Sequence, residues 1–323
     1  MMLLVLRALG LGDFLTAVPA LRALADVFPR HRLVLAMPDA LAPLARLTGL
    51  VHEVIDAAPL APLPRGARGA DIAVNLHGRG PESHRVLLQT RPARLIAFHH
   101  PAIAETAHAP RWRADEHEVH RWCRLLAEHG IAADPDRLDL VAPGSPSLAA
   151  PSAACGTTLL HPGAASVARR WPAERWAAVA RAEAAAGRRV IITAGAAEGA
   201  LAYSIARAAT LDGDAVHAGT DIVRLAALVH AAARVVCGDT GVAHLATALR
   251  TPSIVLFGPS SPAHWGPPPD RPWHRALWKG RLGDPHGHTV DPGLAAITVD
   301  DVLGALETIA AAPRPVTVQR ATA

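Results

Sequence analysis

Two segments place small residues and charged side chains directly after apolar, strand-like runs. The first is residues 161–171, HPGAASVARRW. Its small residues let backbone N–H groups face a ligand, and Arg169 and Arg170 add two guanidinium groups with fork-shaped donors. This combination is suited to holding a diphosphate. The alternative is a solvated loop whose arginines lie on the surface, ahead of a helix that starts near Pro172.

The second segment, residues 237–244 (CGDTGVAH), follows a buried apolar run and opens a helix. Gly241 and Val242 fall at the helix start, where free N–H groups and the helix dipole favour a phosphate group. Asp239 is placed to orient sugar hydroxyls, and His244 lies one turn into the helix at the same mouth. The alternative is a capped helix with a packed core histidine. The sequence has no G-x-x-x-x-G-K-[ST] pattern, which excludes a P-loop NTPase.

A third segment, residues 10–13 (GLGD), lies between the first predicted strand and the first predicted helix. Asp13 falls at or just before the helix start, where an aspartate most often caps the helix. A dinucleotide-binding fingerprint requires a third glycine where Leu15 stands, so the sequence argues against NAD binding. A fourth loop, residues 257–267, also follows a predicted strand.

Candidate metal ligands are few and scattered. The Asp-Gly-Asp triplet at 212–214 is typical of a solvated turn. The histidine pairs at 99–100 and at 286 and 288 have no third ligand at a suitable spacing. We therefore expect no metal site.

Strand-like and helix-like patterns alternate along the chain. The predicted strands are residues 3–6, 33–36, 71–76, 94–98, 157–161, 189–194, a short one near 216, 234–237 and 253–257. The predicted helices are residues 13–27, a stretch ending near 47, 116–129, 172–186, 198–209, 221–232, a segment from about 240, and 299–311. This alternation predicts parallel sheets with helices on both faces. Ligands of such sheets bind outside the carboxyl ends of the strands, which is where all four loops lie.

One segment interrupts the alternation. Residues 142–155, APGSPSLAAPSAAC, are uncharged, rich in small residues and without periodicity, which is typical of a linker. At ~150 residues per domain, a chain of 323 residues has room for two domains. We predict domains over residues 1–145 and 156–312, followed by a tail at 313–323.

Composition excludes several classes of protein. The chain has 50% hydrophobic and 19% charged residues, which argues against disorder. Its net charge of +4 comes without a basic tail, a zinc finger or an aromatic-basic strand, so we expect no nucleic-acid partner. No run approaches the ~20 apolar residues of a membrane span, and peripheral membrane contact is left open. Three separated cysteines and an apolar start too short for a signal peptide indicate a reducing cytoplasm.

Three stretches together resemble the family 9 glycosyltransferases, the ADP-heptose:lipopolysaccharide heptosyltransferases and their relatives. They are LRALGLGDFLTAVPALRAL, LHPGAASVARRWPAERWAAVA and GDTGVAHLATALRTPSIVLFGPSSPAHWGP. The most specific part is D-[TS]-G-x-x-H followed by a strand and F-G-P-[ST]. The resemblance implies a GT-B fold, in which two Rossmann-like parallel-sheet domains face a cleft. It also implies inverting transfer without a metal or other cofactor, from a nucleoside-diphosphate sugar, ADP-heptose above all.

The resemblance also implies roles for individual residues. Asp13 matches the general base, and a carboxylate there can take the proton of an attacking hydroxyl. Arg169 stands where the family usually has a diphosphate-binding lysine, and Glu198 is similar to the acid that binds the ribose. The implied donor-binding set is Gly163, Ala164, Ser166, Arg169, Arg170, Glu198, Thr220, Asp239, Thr240, Gly241, Val242 and His244.

The acceptor side is less defined by sequence. The loop at 75–80 matches the family pattern loosely, and the candidate acceptor-binding residues are Gly12, His77, Arg79, Arg111 and Arg113. Each arginine has the alternative of covering apolar surface. The single lysine and the abundance of Ala, Arg and Pro indicate a high-GC genome. The acceptor is therefore either a lipopolysaccharide core or a secondary-metabolite or other envelope glycan.

Two other functions are compatible with these features. A sugar-nucleotide epimerase or hydrolase can use the same two-domain fold. A sugar-nucleotide binder without activity is the other alternative. For the transferase we expect a cytoplasmic monomer that binds a nucleotide-sugar donor and a glycan or small-molecule acceptor.

Overall fold

The computed structural model describes residues 1–140 and 156–310. The predicted linker at 142–155 and the predicted tail at 313–323 lie outside the described residues. The described chain forms two parallel sheets, each flanked by helices.

The first sheet has five strands in the order β3-β2-β1-β4-β5, and all its neighbouring pairs are parallel. Its strands are β1 (Met2–Leu6), β2 (Arg32–Met37), β3 (Glu53–Asp56), β4 (Ile72–Asn75) and β5 (Arg94–Ile96). The accompanying helices are α1 (Leu11–Thr16), α2 (Val18–Val27), α3 (Ala42–Leu47), α4 (Glu82–Leu88) and α5 (Glu118–Glu128). In the register, Leu3 lies opposite Leu33 on one side and Ile72 on the other.

The second sheet has six strands in the order β11-β10-β9-β6-β7-β8, again all parallel. Its strands are β6 (Thr158–His161), β7 (Val190–Ala194), β8 (Val216–Ala218), β9 (Arg234–Gly238), β10 (Ser253–Leu256) and β11 (His274–Leu277). The helices are α6 (Ala173–Ala185), α7 (Gly199–Ala208), α8 (Ile222–Ala231), α9 (Gly241–Ala248), α10 (Pro262–Trp265), α11 (Pro292–Ala295) and α12 (Val299–Ala310).

The central strands are buried apolar runs because helices cover both faces of each sheet. In β1, every residue from Leu3 to Leu6 is at most 1% exposed. None of the described helices is long and apolar enough to cross a membrane.

The observed elements differ from the predicted ones at several points. The first predicted helix is two helices, because the chain turns at Ala17 and Pro19 lies in the first turn of α2, where its missing N–H is tolerated. Two edge strands, β3 and β11, and the short helices α4, α10 and α11 were not predicted. The sequences of β3 (EVID) and β11 (HRAL) contain charged residues and lack an apolar run.

The two domains approach most closely where α1 meets α9. A Cβ atom on Gly241 would lie 2.7 Å from the Cβ of Leu11. A Cβ atom on Gly12 would lie 2.8 Å from the Cδ2 of His244. Glycine at these two positions therefore lets the beginnings of the two helices touch, outside the carboxyl ends of β1 and β9.

Candidate active site

A cleft of about 660 Å³ lies between the domains where α1 and α9 begin. The residues that line it come from loops after strands of both sheets, as expected for parallel α/β domains. They are Gly10, Leu11, Gly12, Asp13, His161, Gly163, Ala164, Ala165, Arg169, Glu198, Asp239, Thr240, Gly241, His244, Ser260, Trp265, Pro285 and His286.

Asp13 supplies a carboxylate to the first-domain side of this cleft. It is the third residue of α1, whose N-cap is Gly10, so the alternative of Asp13 as the N-cap is wrong. Burial raises the pKa of Asp13, the nearby Arg7 guanidinium opposes that rise, and the charge of Glu118 adds to it. The side chain is still 29% exposed and can reach a ligand. Asp13 is thus a stronger base than an ordinary aspartate.

The second-domain side presents hydrogen-bond donors that lack partners within the described chain. Thr240 is the N-cap of α9, but its side chain makes no capping bond and its buried Oγ1 has no partner. Arg169 donates from Nη1 to the carbonyl of Asp239 at 3.1 Å, while its buried Nε has no partner. Buried donors without partners are costly, so both atoms point to a polar ligand. The N-terminus of a helix favours an anionic ligand.

Asp239 directly precedes Thr240, the N-cap of α9. Its side chain is buried, and that burial raises its pKa, whereas Arg169 and a hydrogen bond from Ser260 act in the opposite direction. The carboxylate thus lies beside the cationic side of the cleft and can accept hydrogen bonds from sugar hydroxyls.

Glu198 ends a single turn of 3-10 helix after β7 and packs against Gly163. A Cβ atom on Gly163 would lie 2.0 Å from Oε2 of Glu198. The same oxygen accepts a hydrogen bond from the backbone N–H of Gly195 at 3.1 Å, and Oε1 lies 3.6 Å from Nη2 of Arg170. Glycine at 163 is therefore what allows this carboxylate to face the cleft.

Two imidazoles at the cleft are uncharged near neutral pH. Burial lowers the pKa of His161 to about 4, and its Nδ1 lies 3.0 Å from Oγ1 of Thr193. Burial also lowers the pKa of His244 to about 4. The ring of His244 packs edge-on against Trp265, with ring centroids 6.0 Å apart. Both histidines can serve as neutral hydrogen-bonding groups.

Comparison with known proteins shows the family of this chain. The model of glycosyltransferase family 9 (heptosyltransferase) matches residues 100–280, which is more than half of the chain. The chain belongs to this family. Family 9 members are glycosyltransferases, and the enzyme class expected from sequence is confirmed. No curated protein sequence matches the chain significantly.

Solved structures agree with the family assignment. E. coli ADP-heptose lipopolysaccharide heptosyltransferase II matches with a TM-score of 0.77 and 22% identity, over 96% of this chain and 98% of that chain. A family 9 glycosyl transferase from Veillonella parvula matches with a TM-score of 0.77 and 18% identity, over 96% of this chain and 97% of that chain. E. coli heptosyltransferase WaaC with ADP-2-deoxy-2-fluoro heptose matches with a TM-score of 0.67 and 18% identity, over 95% of this chain and 99% of that chain. These likenesses confirm the predicted GT-B fold.

The structure brings together most of the residues predicted for this family 9 site. Asp13 and Gly12 line the cleft from one domain. Eight of the predicted donor-binding residues line it from the other, namely Gly163, Ala164, Arg169, Glu198, Asp239, Thr240, Gly241 and His244.

Four predicted donor-binding side chains lie outside the lining of the cleft. Ser166 donates to the carbonyl of Gly287 at 3.0 Å, and Arg170 donates to the carbonyl of Ala164 at 2.8 Å. Val242 is buried in the core, so only its backbone is near the helix start. Thr220 is half-buried in the loop after β8.

The predicted acceptor-binding cations also lie outside this lining. Arg79 and Arg111 are exposed, and Arg113 lies 3.8 Å from the carboxylate of Glu128. His77 is half-buried, and burial together with Arg7 lowers its pKa to about 4.

Sequence reasoning missed several residues of the site. His161, Ala165, Ser260, Trp265, Pro285 and His286 line the cleft, and Arg7 and Glu118 lie behind Asp13. His161 and Ala165 belong to the first segment, and Ser260 and Trp265 belong to the fourth loop, so their position after a strand was the available signal. Arg7 offered another signal, since it is a charged residue at the end of an apolar strand. Within the described ranges, no group of three or more His, Cys, Asp or Glu side chains could hold a metal ion.

Proposed function

We propose that the protein transfers heptose from ADP-heptose to a hydroxyl group, with inversion at the anomeric carbon and without a metal ion. One observation carries this proposal. The basic carboxylate of Asp13 lies across the same cleft from the unpaired donors of Arg169 and Thr240. The likeness to heptosyltransferases, one of them with an ADP-heptose analogue, supports the choice of donor.

In the proposed step, the acceptor oxygen forms a bond to the anomeric carbon while its proton passes to Asp13. The bond between the anomeric carbon and the diphosphate oxygen breaks, and ADP leaves with that electron pair. The charge on the leaving oxygen develops beside Arg169 and the N-terminus of α9. Preorganised donors at such a position are worth about 3–4 kcal/mol each in other enzymes.

Glu198 and Asp239, which line the same cleft, supply further donor contacts in this proposal. Glu198 accepts hydrogen bonds from the ribose hydroxyls, and Asp239 accepts hydrogen bonds from the sugar. The domain predicted over residues 156–312 binds the donor, and the domain predicted over residues 1–145 binds the acceptor and contributes Asp13. The enzyme acts as a cytoplasmic monomer on a lipopolysaccharide core or on a secondary-metabolite or envelope glycan.

The test compares the wild type with Asp13→Asn, using ADP-heptose and a panel of core oligosaccharides and other glycans. ADP release should fall by roughly 10²- to 10⁴-fold in the variant, because the proton acceptor is lost. ADP binding, followed by calorimetry, should be unchanged. Asp212→Asn, on an exposed turn outside the cleft, is the matched control and should keep full activity.

Three outcomes would contradict the proposal. Full activity of Asp13→Asn would show that Asp13 is not the general base. Rapid conversion of the donor without an acceptor would favour an epimerase or hydrolase. Tight ADP binding with no transfer to any acceptor would favour a sugar-nucleotide binder without activity.

A further inference from the structure

Arg7 is a buried guanidinium directly behind Asp13. Its side chain is 1% exposed. Its Nη2 lies 3.0 Å from Oε1 of Glu118 and 3.5 Å from Oδ1 of Asp13. Its Cζ lies 4.8 Å from the centre of the Trp122 ring. A charge this deeply buried is tolerated only with close partners, and the closer carboxylate is Glu118.

Arg7 also holds the backbone at the start of α1. Its Nε donates to the carbonyl of Asp13 at 2.8 Å, and Oγ1 of Thr16 donates to the same oxygen at 2.9 Å. Its Nη1 donates to the carbonyl of Leu76, just after β4. Arg7 therefore ties the peptide group of Asp13 to the neighbouring strand.

Glu118, at the start of α5, is held in its ionised form. Oε1 also accepts from Nε1 of Trp122 at 2.9 Å, and Oε2 pairs with Arg121. Burial alone would raise the pKa of Glu118, but the charges of Arg7 and Arg121 outweigh burial and lower it. Near neutral pH, Glu118 thus carries a full negative charge against Arg7.

Two histidines near Asp13 add no charge to those of Arg7 and Glu118. His77 follows β4 and His244 lies on α9, and burial lowers the pKa of each to about 4. Both are neutral near pH 7. His117 directly precedes Glu118, and burial lowers its pKa. Arg169, Asp239 and Glu198 face Asp13 across the cleft. The charges that shift the pKa of Asp13 are those of Arg7 and Glu118.

We propose that Arg7 and Glu118 together are positioning residues for Asp13. Arg7 holds the peptide group of Asp13 in place, and Glu118 takes up the guanidinium charge, which leaves the Asp13 carboxylate free to accept a proton. This inference rests on the proposed function, in which Asp13 is the general base. Without Glu118, the full charge of Arg7 would act on Asp13 and make it a weaker base.

The decisive variant is Glu118→Gln, which removes the charge and keeps the size of the side chain. The pKa of Asp13, followed by carbon-13 NMR of the free protein against Asp13→Asn, should fall by roughly one unit or more. The acid limb of the kcat/KM profile should move to lower pH by the same amount. Glu116→Gln is the matched control, because Glu116 pairs with Arg124 and not with Arg7. It should move neither quantity.

A second variant covers the case in which Glu118→Gln does not fold. Glu118→Asp keeps a negative charge next to Arg121, but its side chain is shorter by one methylene group, so the carboxylate lies farther from Arg7. It should lower the pKa of Asp13 in the same direction by a smaller amount. A folded Glu118 variant with an unchanged Asp13 pKa overturns the inference.

The two readouts separate this inference from the proposed function. If the NMR pKa falls in Glu118→Gln but Asp13→Asn retains activity, the pairing is real and the role of Asp13 as base is wrong. If Asp13→Asn is inactive but neither the pKa nor the acid limb moves in Glu118→Gln, the base is right and the positioning role is wrong.

Discussion

At the scale of single residues, the site depends on how closely neighbours approach. The pKa of Asp13 is raised because burial and the charge of Glu118 act against the charge of Arg7. Glu198 faces the cleft because the residue beneath it is glycine. The pKa of Asp13 and the orientation of Glu198 each depend on a residue that is distant in sequence, Glu118 for the first and Gly163 for the second.

Replacing Gly163 tests the packing beneath Glu198. In Gly163→Ala, the added methyl group would collide with the Glu198 carboxylate and displace it. We expect the Kd for ADP, measured by calorimetry, to rise by roughly tenfold, which corresponds to the loss of about one hydrogen bond to a charged group. Gly213→Ala, where a Cβ atom meets nothing within 4 Å, is the matched control. Equal ADP affinity in the two variants would show that Glu198 does not contact the nucleotide.

At the scale of elements, the paired helix starts are the central feature. The beginnings of α1 and α9 touch through Gly12 and Gly241, which brings the Asp13 carboxylate and the N-terminus of α9 to one cleft. The segment around α9 was the easier one to predict, because its glycine, its threonine and the preceding apolar strand are adjacent in sequence. That α1 packs against it could not be predicted, since the two are separated by more than 200 residues.

Thr240→Val tests the start of α9. The Thr240 hydroxyl is buried without a partner in the described structure, so replacing it with a methyl group of similar size removes no hydrogen bond. Thermal stability should be unchanged or higher, whereas ADP affinity should fall by roughly tenfold. Thr308→Val is the control for ADP affinity, because Thr308 is exposed on α12 and its hydroxyl donates only to the carbonyl of Gly304 in the same helix. A loss of stability without a loss of ADP affinity would contradict a role in binding the donor.

At the scale of the whole molecule, a carboxylate close to the predicted linker ties the two domains together. Asp139 pairs with Arg250 and lies 3.1 Å from Nη1 of Arg271, and both arginines belong to the second domain. Nearby, the backbone N–H of Leu140 donates to the carbonyl of Ala248 at 2.9 Å. Because Ala248 is the last residue of α9, these contacts help to place that helix against the first domain.

Asp139→Ala should therefore weaken the joint between the domains. It leaves the nearly buried Arg271 without its carboxylate, and the free energy of unfolding should fall by about 1–3 kcal/mol in urea titrations. Glu53→Ala is the matched control, because its ion pair with Arg32 is exposed and lies within one domain. That variant should lose less than about 1 kcal/mol. Equal losses in the two variants would show that the Asp139 contacts do not stabilise the joint.

Sequence patterns and the family resemblance predicted the alternation of strands and helices, the two parallel sheets and most of the second-domain lining of the cleft. These features were readable because apolar runs, glycines and charged residues at strand ends are local patterns. The structure, and not the sequence, places Asp13 inside α1 and not at its cap. It alone placed Arg7 and Glu118 behind that residue and left the predicted acceptor arginines outside the lining of the cleft. The physical reason is that packing between distant segments sets burial and charge contacts, and these in turn set the pKa of Asp13.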